Sequence, residues 1–171
     1  MKDFVHLHTH SHYSLLDGLI KINELVAEVA RLEMPAIALT DHGNMYGAIE
    51  FYQKARKAGI KPIIGMEAYI AFERMRDRRP GVDEKRYHLT LLAENDEGYR
   101  NLVTLTTKAH LEGFYYKPRL DHETLRAHAK GLVALSGCMS GEIPRALLTG
   151  DETRAEQLVA LHRDIFGKNN F

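Results

Sequence analysis

Residues 6–18 read HLHTHSHYSLLDG, and this stretch carries four of the chain's ten histidines at alternate positions. These histidines are His6, His8, His10 and His12. If residues 3–9 form a strand, its two-residue period sends the first three of them to one face. Asp17 follows after a short polar loop. Because imidazole nitrogens beside a carboxylate are typical ligands of a transition metal, the stretch predicts a metal site. Hydrophobic residues alternate with the histidines, which is not typical of an affinity tag.

The composition predicts one globular domain. The chain has 171 residues, of which 44% are apolar and 27% are charged. Lysine plus arginine and aspartate plus glutamate number 23 each, which argues against a surface devoted to non-specific duplex binding. A single cysteine excludes an internal disulfide and favours a reducing compartment. We find no signal peptide and no apolar run long enough for a membrane helix, so we expect a cytoplasmic protein.

Hydrophobic periodicity predicts that strands and helices alternate five times. The predicted strands are residues 3–9, 36–40, 61–71, 88–93 and 132–135. The predicted helices are residues 22–33, 46–58, a segment capped by Asn95 or Asp96, and residues 122–128, 141–148 and 152–166. Residues 72–86, which contain five arginines, and the aromatic-basic residues 113–119 are predicted to be loops. This alternation predicts parallel strands joined by right-handed crossovers, in an α/β barrel or a doubly wound sheet.

The pattern stops at Phe171, where a sixth strand is due. Five strands are too few to close a barrel of seven or eight. We therefore expect the chain to be a fragment of a longer protein.

Side chains that can bind metal recur at the predicted carboxyl ends of successive strands, where α/β folds place their working residues. They are His8, His10, Asp17, Asp41, His42, Glu67 and Cys138. His88 is the discordant candidate, because it opens its predicted strand. Such ligands suit Zn²⁺ or Mn²⁺, and their number suits two or three ions roughly 3.5–4 Å apart. A cluster of this kind activates water for phosphoester hydrolysis.

Some of these candidates also have plainer interpretations. Asp17 fits a turn before Gly18, Cys138 fits a buried apolar position, and His88 fits a core or surface position. Asp41 suits either orienting a ligand histidine or capping the next helix. Four other histidines are predicted to be ordinary surface residues: His110, His122, His128 and His162.

Several phrases of the sequence resemble the polymerase and histidinol phosphatase (PHP) superfamily. They are HTH (8–10), DG (17–18), TDHG (40–43) and GME (65–67). The chain resembles still more closely the N-terminal PHP domains of bacterial DNA polymerase III alpha subunits. The phrases that carry this closer match are HLHTH (6–10), YSLLDG (13–18), LTDHGNMYG (39–47), GIKPIIGMEAY (59–69), HLTLLA (88–93), YKPR (116–119) and SGC (136–138). Together they cover essentially the whole chain.

This resemblance implies a distorted (β/α)7 TIM-like barrel of the PHP fold. Residues 1–171 would form its N-terminal portion, truncated after about five βα units. The resemblance also implies nine ligand positions for two or three Zn²⁺ or Mn²⁺ ions. Seven are present: His8, His10, Asp17, His42, Glu67, His88 and Cys138. The remaining two, an aspartate and a histidine, would lie beyond Phe171.

The resemblance implies a role in DNA replication, within a DNA-directed DNA polymerase. The polymerase chemistry needs its own carboxylate pair, for which this chain has no room. The PHP site itself would be a phosphoesterase with 3′–5′ exonuclease proofreading activity. Asp17, Asp41 and His42 are its candidate catalytic residues. Lys117 and Arg119 are candidates for binding a phosphate or a base, although a solvated loop is favoured there.

The implied partners are single-stranded DNA at its 3′ end, the remainder of the alpha subunit and a proofreading exonuclease subunit. Two other functions stay open. The domain is either a metal-stabilised structural module that docks the proofreading subunit, or a small-molecule phosphatase that acts on substrates resembling histidinol phosphate. Intact ligands favour catalysis, whereas the truncation favours the structural module for this chain.

Overall fold

The computed structural model describes residues 4–15 and 17–171, which form a mixed α/β domain. The helices are α1 (Ile22–Arg31), α2 (Ala48–Lys57), α3 (Asp96–Leu111), α4 (His122–Ala127), α5 (Glu142–Leu148) and α6 (Glu152–Phe166). The strands are β1 (Ala36–Leu39), β2 (Lys61–Ala71), β3 (Arg86–Ala93), β4 (Phe114–Tyr115), β5 (Lys117–Leu120) and β6 (Leu132–Leu135). The predicted α/β class and all six predicted helices are confirmed. None of the described helices has both the length and the apolar character that crossing a bilayer requires.

The N-terminal segment lies beside β1 without forming a regular strand. The Ala38 N–H donates to the His6 carbonyl at 2.8 Å, and the Thr40 N–H donates to the Thr9 carbonyl at 2.8 Å. The backbone bends at residues 7–8, which interrupts the ladder between these two bonds. The predicted strand is therefore wrong as a regular element over residues 4–9, and residue 3 lies outside the described chain.

The sheet is mixed rather than wholly parallel. Its order is β4-β5-β2-β3-β6, and β1 also pairs with β2. Strand β2 is parallel to β1 and β5 but antiparallel to β3, which is in turn antiparallel to β6. Residues 72–85, all of them described, contain no helix that could carry the chain across the sheet. The chain instead turns back, so the prediction of parallel strands is wrong for β3 and its neighbours.

Two hydrophobic clusters support this sheet. Helix α1 buries Ile22, Leu25, Val26 and Val29. Their spacing of three and four residues makes one stripe, which packs with Phe51 of α2 and Ile37 of β1. The other cluster joins β2, β3 and β6 to helices α3, α4 and α6. Both clusters hold β2 near the centre of the domain, where it carries Glu67.

The predicted aromatic-basic loop forms a hairpin of β4 and β5. Tyr116 at its turn has φ of 57°, a left-handed conformation. The arginine-rich segment beside this hairpin contains an ion pair between Arg79 and Asp83. The Arg79 Nε and Nη2 atoms donate to the Asp83 carboxylate at 2.9 Å each, and the Arg79 N–H donates at 2.6 Å. These bonds from Arg79 lower the pKa of Asp83 to about 2.

We expect Asp83→Asn to destabilise the chain at neutral pH but much less in acid. An ordinary aspartate has a pKa of about 3.9. Because its folded-state pKa is depressed, Asp83 stabilises the folded chain above that value and loses this contribution as the pH falls toward 2. Urea unfolding at pH 7 and pH 2.5 measures the change in unfolding free energy. The exposed pair of Asp164 and Arg126 gives the control, Asp164→Asn, which should have a small effect at both pH values. An Asp83→Asn loss that is equal at both pH values contradicts the prediction.

Candidate metal centre

Four histidines converge on one buried carboxylate, that of Glu67 in β2, which is 1% exposed. Glu67 Oε1 lies 3.3 Å from His8 Nε2 and 3.0 Å from His88 Nδ1. Glu67 Oε2 lies 3.3 Å from His10 Nε2 and 2.6 Å from His42 Nδ1. Histidines from three separate chain segments thus share a single carboxylate.

The backbone explains why His42 and His88 reach Glu67. Beyond β1 the chain continues beside β2, where the Glu67 N–H donates to the Asp41 carbonyl at 3.1 Å and the Gly43 N–H donates to the Glu67 carbonyl at 2.9 Å. His42 therefore forms a parallel bridge with Glu67. β3 begins at Arg86, two residues before the predicted start, and its antiparallel pairing with β2 places His88 opposite Tyr69. The start of an antiparallel strand lies beside the end of its partner, and this resolves the discordant position of His88 in the sequence.

Asp17 and Cys138 extend the cluster on its solvent side. Asp17 Oδ2 lies 2.7 Å from His42 Nε2, and the Asp17 side chain is 57% exposed. Cys138 is exposed, and its sulfur lies 3.8 Å from His88 Nδ1. The structure thus brings all seven predicted ligand side chains into one connected group.

The protonation of the group is strongly perturbed. Burial opposes ionisation of Glu67, but the imidazoles of His42, His8 and His88 outweigh it and hold the pKa of the carboxyl far below its usual range. Burial lowers the pKa of His10, and the neighbouring His42 lowers it further. Burial also opposes protonation of His42, but Glu67 and Asp17 outweigh it and raise the pKa of this imidazole. The rings of His10 and His42 stack with 4.1 Å between centroids, so the two cannot easily carry protons together.

The donor atoms fit bound metal ions. Among the described side chains, His42 Nδ1 and Glu67 Oε2 are buried and form no hydrogen bond with each other or with another group. Buried polar atoms are rarely left without a partner, so a cation is the natural partner for this pair. Two triads have donor atoms within 4.8 Å of one another: His8 with His10 and Glu67, and His42 with Glu67 and His88. Both triads include Glu67, so its carboxylate would contribute to an ion held by either one.

Asp41 is buried and organises the turn that precedes Asp17. Its Oδ1 accepts from the Ser11 N–H and the Ser14 hydroxyl at 2.7 Å each, and its Oδ2 accepts from the Ser11 hydroxyl at 2.9 Å. The Ser14 hydroxyl also accepts from the His42 N–H at 3.0 Å and lies 3.4 Å from His10 Nδ1. These contacts occupy both Asp41 oxygens and link Asp41 through Ser14 to two of the predicted ligand histidines, a position that suits the orienting role considered for Asp41 better than the predicted catalytic role. Sequence reasoning missed Ser14, because this contact depends on how the two segments pack together.

The two predicted substrate-binding residues occupy different environments. Arg119 is 0% exposed and donates to backbone carbonyls, so its burial does not fit contact with a substrate from solution. The Lys117 ammonium lies 5.8 Å from the ring centroid of Tyr69, whose ring stacks on His42 at 5.9 Å. The guanidinium of Arg86 lies 5.2 Å from the same ring. Lys117 and Arg86 thus form a basic edge beside the metal centre. Tyr69 lies between these two basic side chains and His42, and it was not predicted from the sequence to be a site residue.

Comparison with known proteins yields one family and a set of long relatives. The family model for the PHP domain matches residues 6–171. The chain is 51% identical over 172 residues to DNA polymerase III subunit alpha of Thermus aquaticus, covering 98% of the chain and 14% of that protein. It is 49% identical over 169 residues to DNA polymerase III subunit alpha of Treponema pallidum, with 98% and 14% covered. The chain therefore spans about one seventh of the length of these relatives.

One solved structure shares the fold over nearly the whole chain. It is a protein assigned as a metal-dependent phosphoesterase from Bifidobacterium adolescentis, with a TM-score of 0.50 and 13% sequence identity. The alignment covers 98% of this chain and 89% of that protein. This likeness shows that the two chains share a fold.

Proposed function

Because the chain belongs to the PHP domain family, we propose that it is a metal-dependent phosphoesterase unit that hydrolyses phosphodiester bonds at the 3′ end of single-stranded DNA. The observation that carries the proposal is the contact of four imidazoles with the buried Glu67 carboxylate, each at 3.3 Å or less. The similarity to polymerase alpha subunits supports DNA as the substrate. We propose two protein partners, the remainder of such a subunit and a separate proofreading subunit. We also propose that the chain works in the cytoplasm.

The chain's own residues would divide the reaction among them. Zn²⁺ or Mn²⁺ held by the seven ligand side chains would supply an activated water and neutralise phosphate charge. Asp17 is exposed, so its carboxylate would accept a proton at the mouth of the site, while its Oδ2 would orient His42. Lys117 and Arg86 would hold the phosphodiester backbone beside Tyr69.

A structural role is the second candidate, and the placement of the ligands favours it. They come from the N-terminal segment, the end of β1, β2, β3 and the loop after β6, which are far apart in sequence. Ions shared among these segments would cross-link the fold, and binding to the folded state alone would stabilise it. In this case the domain would be a module that docks a proofreading subunit.

A cleavage assay on the metal-loaded chain separates these candidates. The chain is incubated with 3′-labelled single-stranded DNA and Mn²⁺ or Zn²⁺, and release of the label is measured. We expect release, and we expect His42→Ala to slow it by at least about 100-fold, since loss of an outer-shell partner alone costs roughly 10–100-fold. His110→Gln is the control, because His110 lies on α3 outside the cluster.

Three outcomes are distinct. If the folded, metal-loaded chain leaves the DNA intact and His42→Ala only lowers the melting temperature, catalysis is contradicted and the structural role stands. If the chain instead releases phosphate rapidly from histidinol phosphate, the small-molecule phosphatase function replaces the proposal. Release of the label that is equally fast in His42→Ala would assign the cleavage to a contaminant.

A further inference from the structure

A second group of potential ligands lies where helices α4, α5 and α6 meet. It consists of His122, Glu142 and His162, whose donor atoms lie within 4.8 Å of one another. None of the three belongs to the ligand set around Glu67. His122 and His162 were both expected on the surface. For His162 that prediction is wrong, because the residue is 1% exposed.

The ring of His162 is fixed with one nitrogen aimed at a carboxylate. Its Nδ1 donates to the Leu158 carbonyl one helical turn earlier, at 2.8 Å. Its ring also stacks on Phe171, with 4.9 Å between centroids. In the neutral ring, Nε2 is therefore the acceptor nitrogen. Among the described residues this buried Nε2 forms no hydrogen bond, and it lies 3.6 Å from Glu142 Oε2.

Two acceptor atoms facing each other at this distance repel unless a cation or a proton lies between them. The Glu142 side chain is 6% exposed, so water does not readily screen the repulsion. Glu142 Oε2 has His122 Nε2 within hydrogen-bond distance at 2.8 Å, but His162 Nε2 has no such partner, and a metal cation would supply one.

His122 completes the group from the solvent side. Its Nε2 lies 2.8 Å from the same Glu142 Oε2, and its side chain is 26% exposed. The site therefore has two buried ligands, which are held in place, and one ligand beside an opening. A partly open site of this kind leaves room for a water molecule as a fourth ligand.

We propose that His122, Glu142 and His162 bind a Zn²⁺ ion that ties α4, α5 and α6 together, separate from the Glu67 centre. Two histidines and one glutamate form a donor set that zinc uses in proteins. Tetrahedral bonds of about 2.0–2.1 Å place ligand atoms about 3.3 Å apart. The observed separations of 2.8 Å and 3.6 Å lie on either side of that value. The Leu158 carbonyl is the outer partner that a zinc-bound histidine usually has.

Zinc titration against a competing chelator tests the proposal on the whole chain. We expect His122→Gln and Glu142→Gln each to lose one bound ion per chain, or to bind it at least about 100-fold more weakly. His110→Gln is a matched control, because its Nδ1 also contacts a carbonyl one turn earlier, that of Thr106 at 2.9 Å. The control should keep every ion. If all three variants bind the same number of ions with the same affinity as the parent, the proposal is overturned.

A second measurement needs no variant and therefore does not depend on whether the variants fold. Nitrogen-15 NMR of the histidine rings in the unmodified chain follows Nε2 of His122 and His162 as zinc is added. We expect both resonances to shift with the binding of a single ion. Saturation with zinc that leaves them unchanged contradicts the site. Glu67→Gln removes the Glu67 centre but leaves the site of His122, Glu142 and His162 intact. A negative result at this second site is therefore distinguishable from a negative result for the proposed phosphoesterase.

Discussion

Replacement of Glu67 with glutamine is expected to lower zinc or manganese affinity at the metal centre by more than about 100-fold. Glutamine has the shape of glutamate but no negative charge, and its amide nitrogen is not a ligand. The change removes the carboxylate that contacts four histidines, two through each oxygen. Because both triads depend on this carboxylate, both ions should be lost together. A fall of this size corresponds to at least about 2.7 kcal/mol of binding free energy.

Isothermal titration of the variant with Zn²⁺ measures this change. Glu94→Gln is the control, because Glu94 is an exposed glutamate that follows β3. Glu94→Gln removes the same charge from the chain but leaves the metal centre unchanged, so the affinity of this variant for Zn²⁺ should equal that of the parent. Release of the label from DNA should also decrease in Glu67→Gln, because the ions are lost, but it should not decrease in Glu94→Gln. An unchanged affinity in Glu67→Gln would mean that this carboxylate is a hydrogen-bond acceptor for histidines and not a ligand.

Arg119→Met is expected to cost about 3–5 kcal/mol of unfolding free energy, because it leaves several backbone carbonyls without their donor. The Arg119 guanidinium donates to the carbonyls of Asp83 and Asp77 at 2.7 Å each and of Met75 at 2.9 Å, and its Nε donates to that of Gly113 at 3.2 Å. Methionine fills part of the space but satisfies none of these acceptors. Each buried carbonyl left without a donor costs roughly 1–3 kcal/mol. Arg119 thus joins the arginine-rich segment to the hairpin.

Urea unfolding measures the loss, with Arg74→Met as the control. Arg74 is exposed on the same segment, and surface substitutions usually change stability by less than about 0.5 kcal/mol. Arg119→Met should keep the affinity of the metal centre, because Arg119 makes its four bonds away from the ligand histidines. A variant that is as stable as the parent but binds DNA poorly would restore the role in substrate binding that the sequence suggested.

The sequence located most of the side chains that the structure gathers around Glu67, because they belong to local phrases. His8 and His10 flank Thr9, and His42 follows Asp41 directly after a buried strand, so short-range pattern locates them. The same pattern placed β2 and β6 with their correct ends. Strand direction is a different matter, because it depends on whether the intervening chain crosses the sheet. That is why His88 looked discordant until β3 proved to be antiparallel to β2.

The burial of individual polar side chains could not be predicted from the sequence. Arg119 lies in an aromatic-basic segment that the sequence assigned to a solvated loop or to substrate binding, yet its partners are carbonyls up to 44 residues away. His162 and Glu142 lie on different helices, and no local motif links them. Asp41 precedes His42 directly in the sequence, but its carboxylate is hydrogen-bonded to Ser11 and Ser14, which belong to the N-terminal segment. In each case the function of the side chain depends on contacts between distant segments, which periodicity does not encode.

The most direct test of the metal centre is anomalous X-ray scattering from crystals of the chain grown with Zn²⁺. We predict a peak about 2.0–2.2 Å from a Glu67 carboxylate oxygen, with imidazole nitrogens of His8, His10 or His42 at similar distances. The ion would then separate atoms that now lie as close as 2.6 Å, namely His42 Nδ1 and Glu67 Oε2. Crystals saturated with zinc that show no peak there, with the histidines still in direct contact with Glu67, would contradict the account.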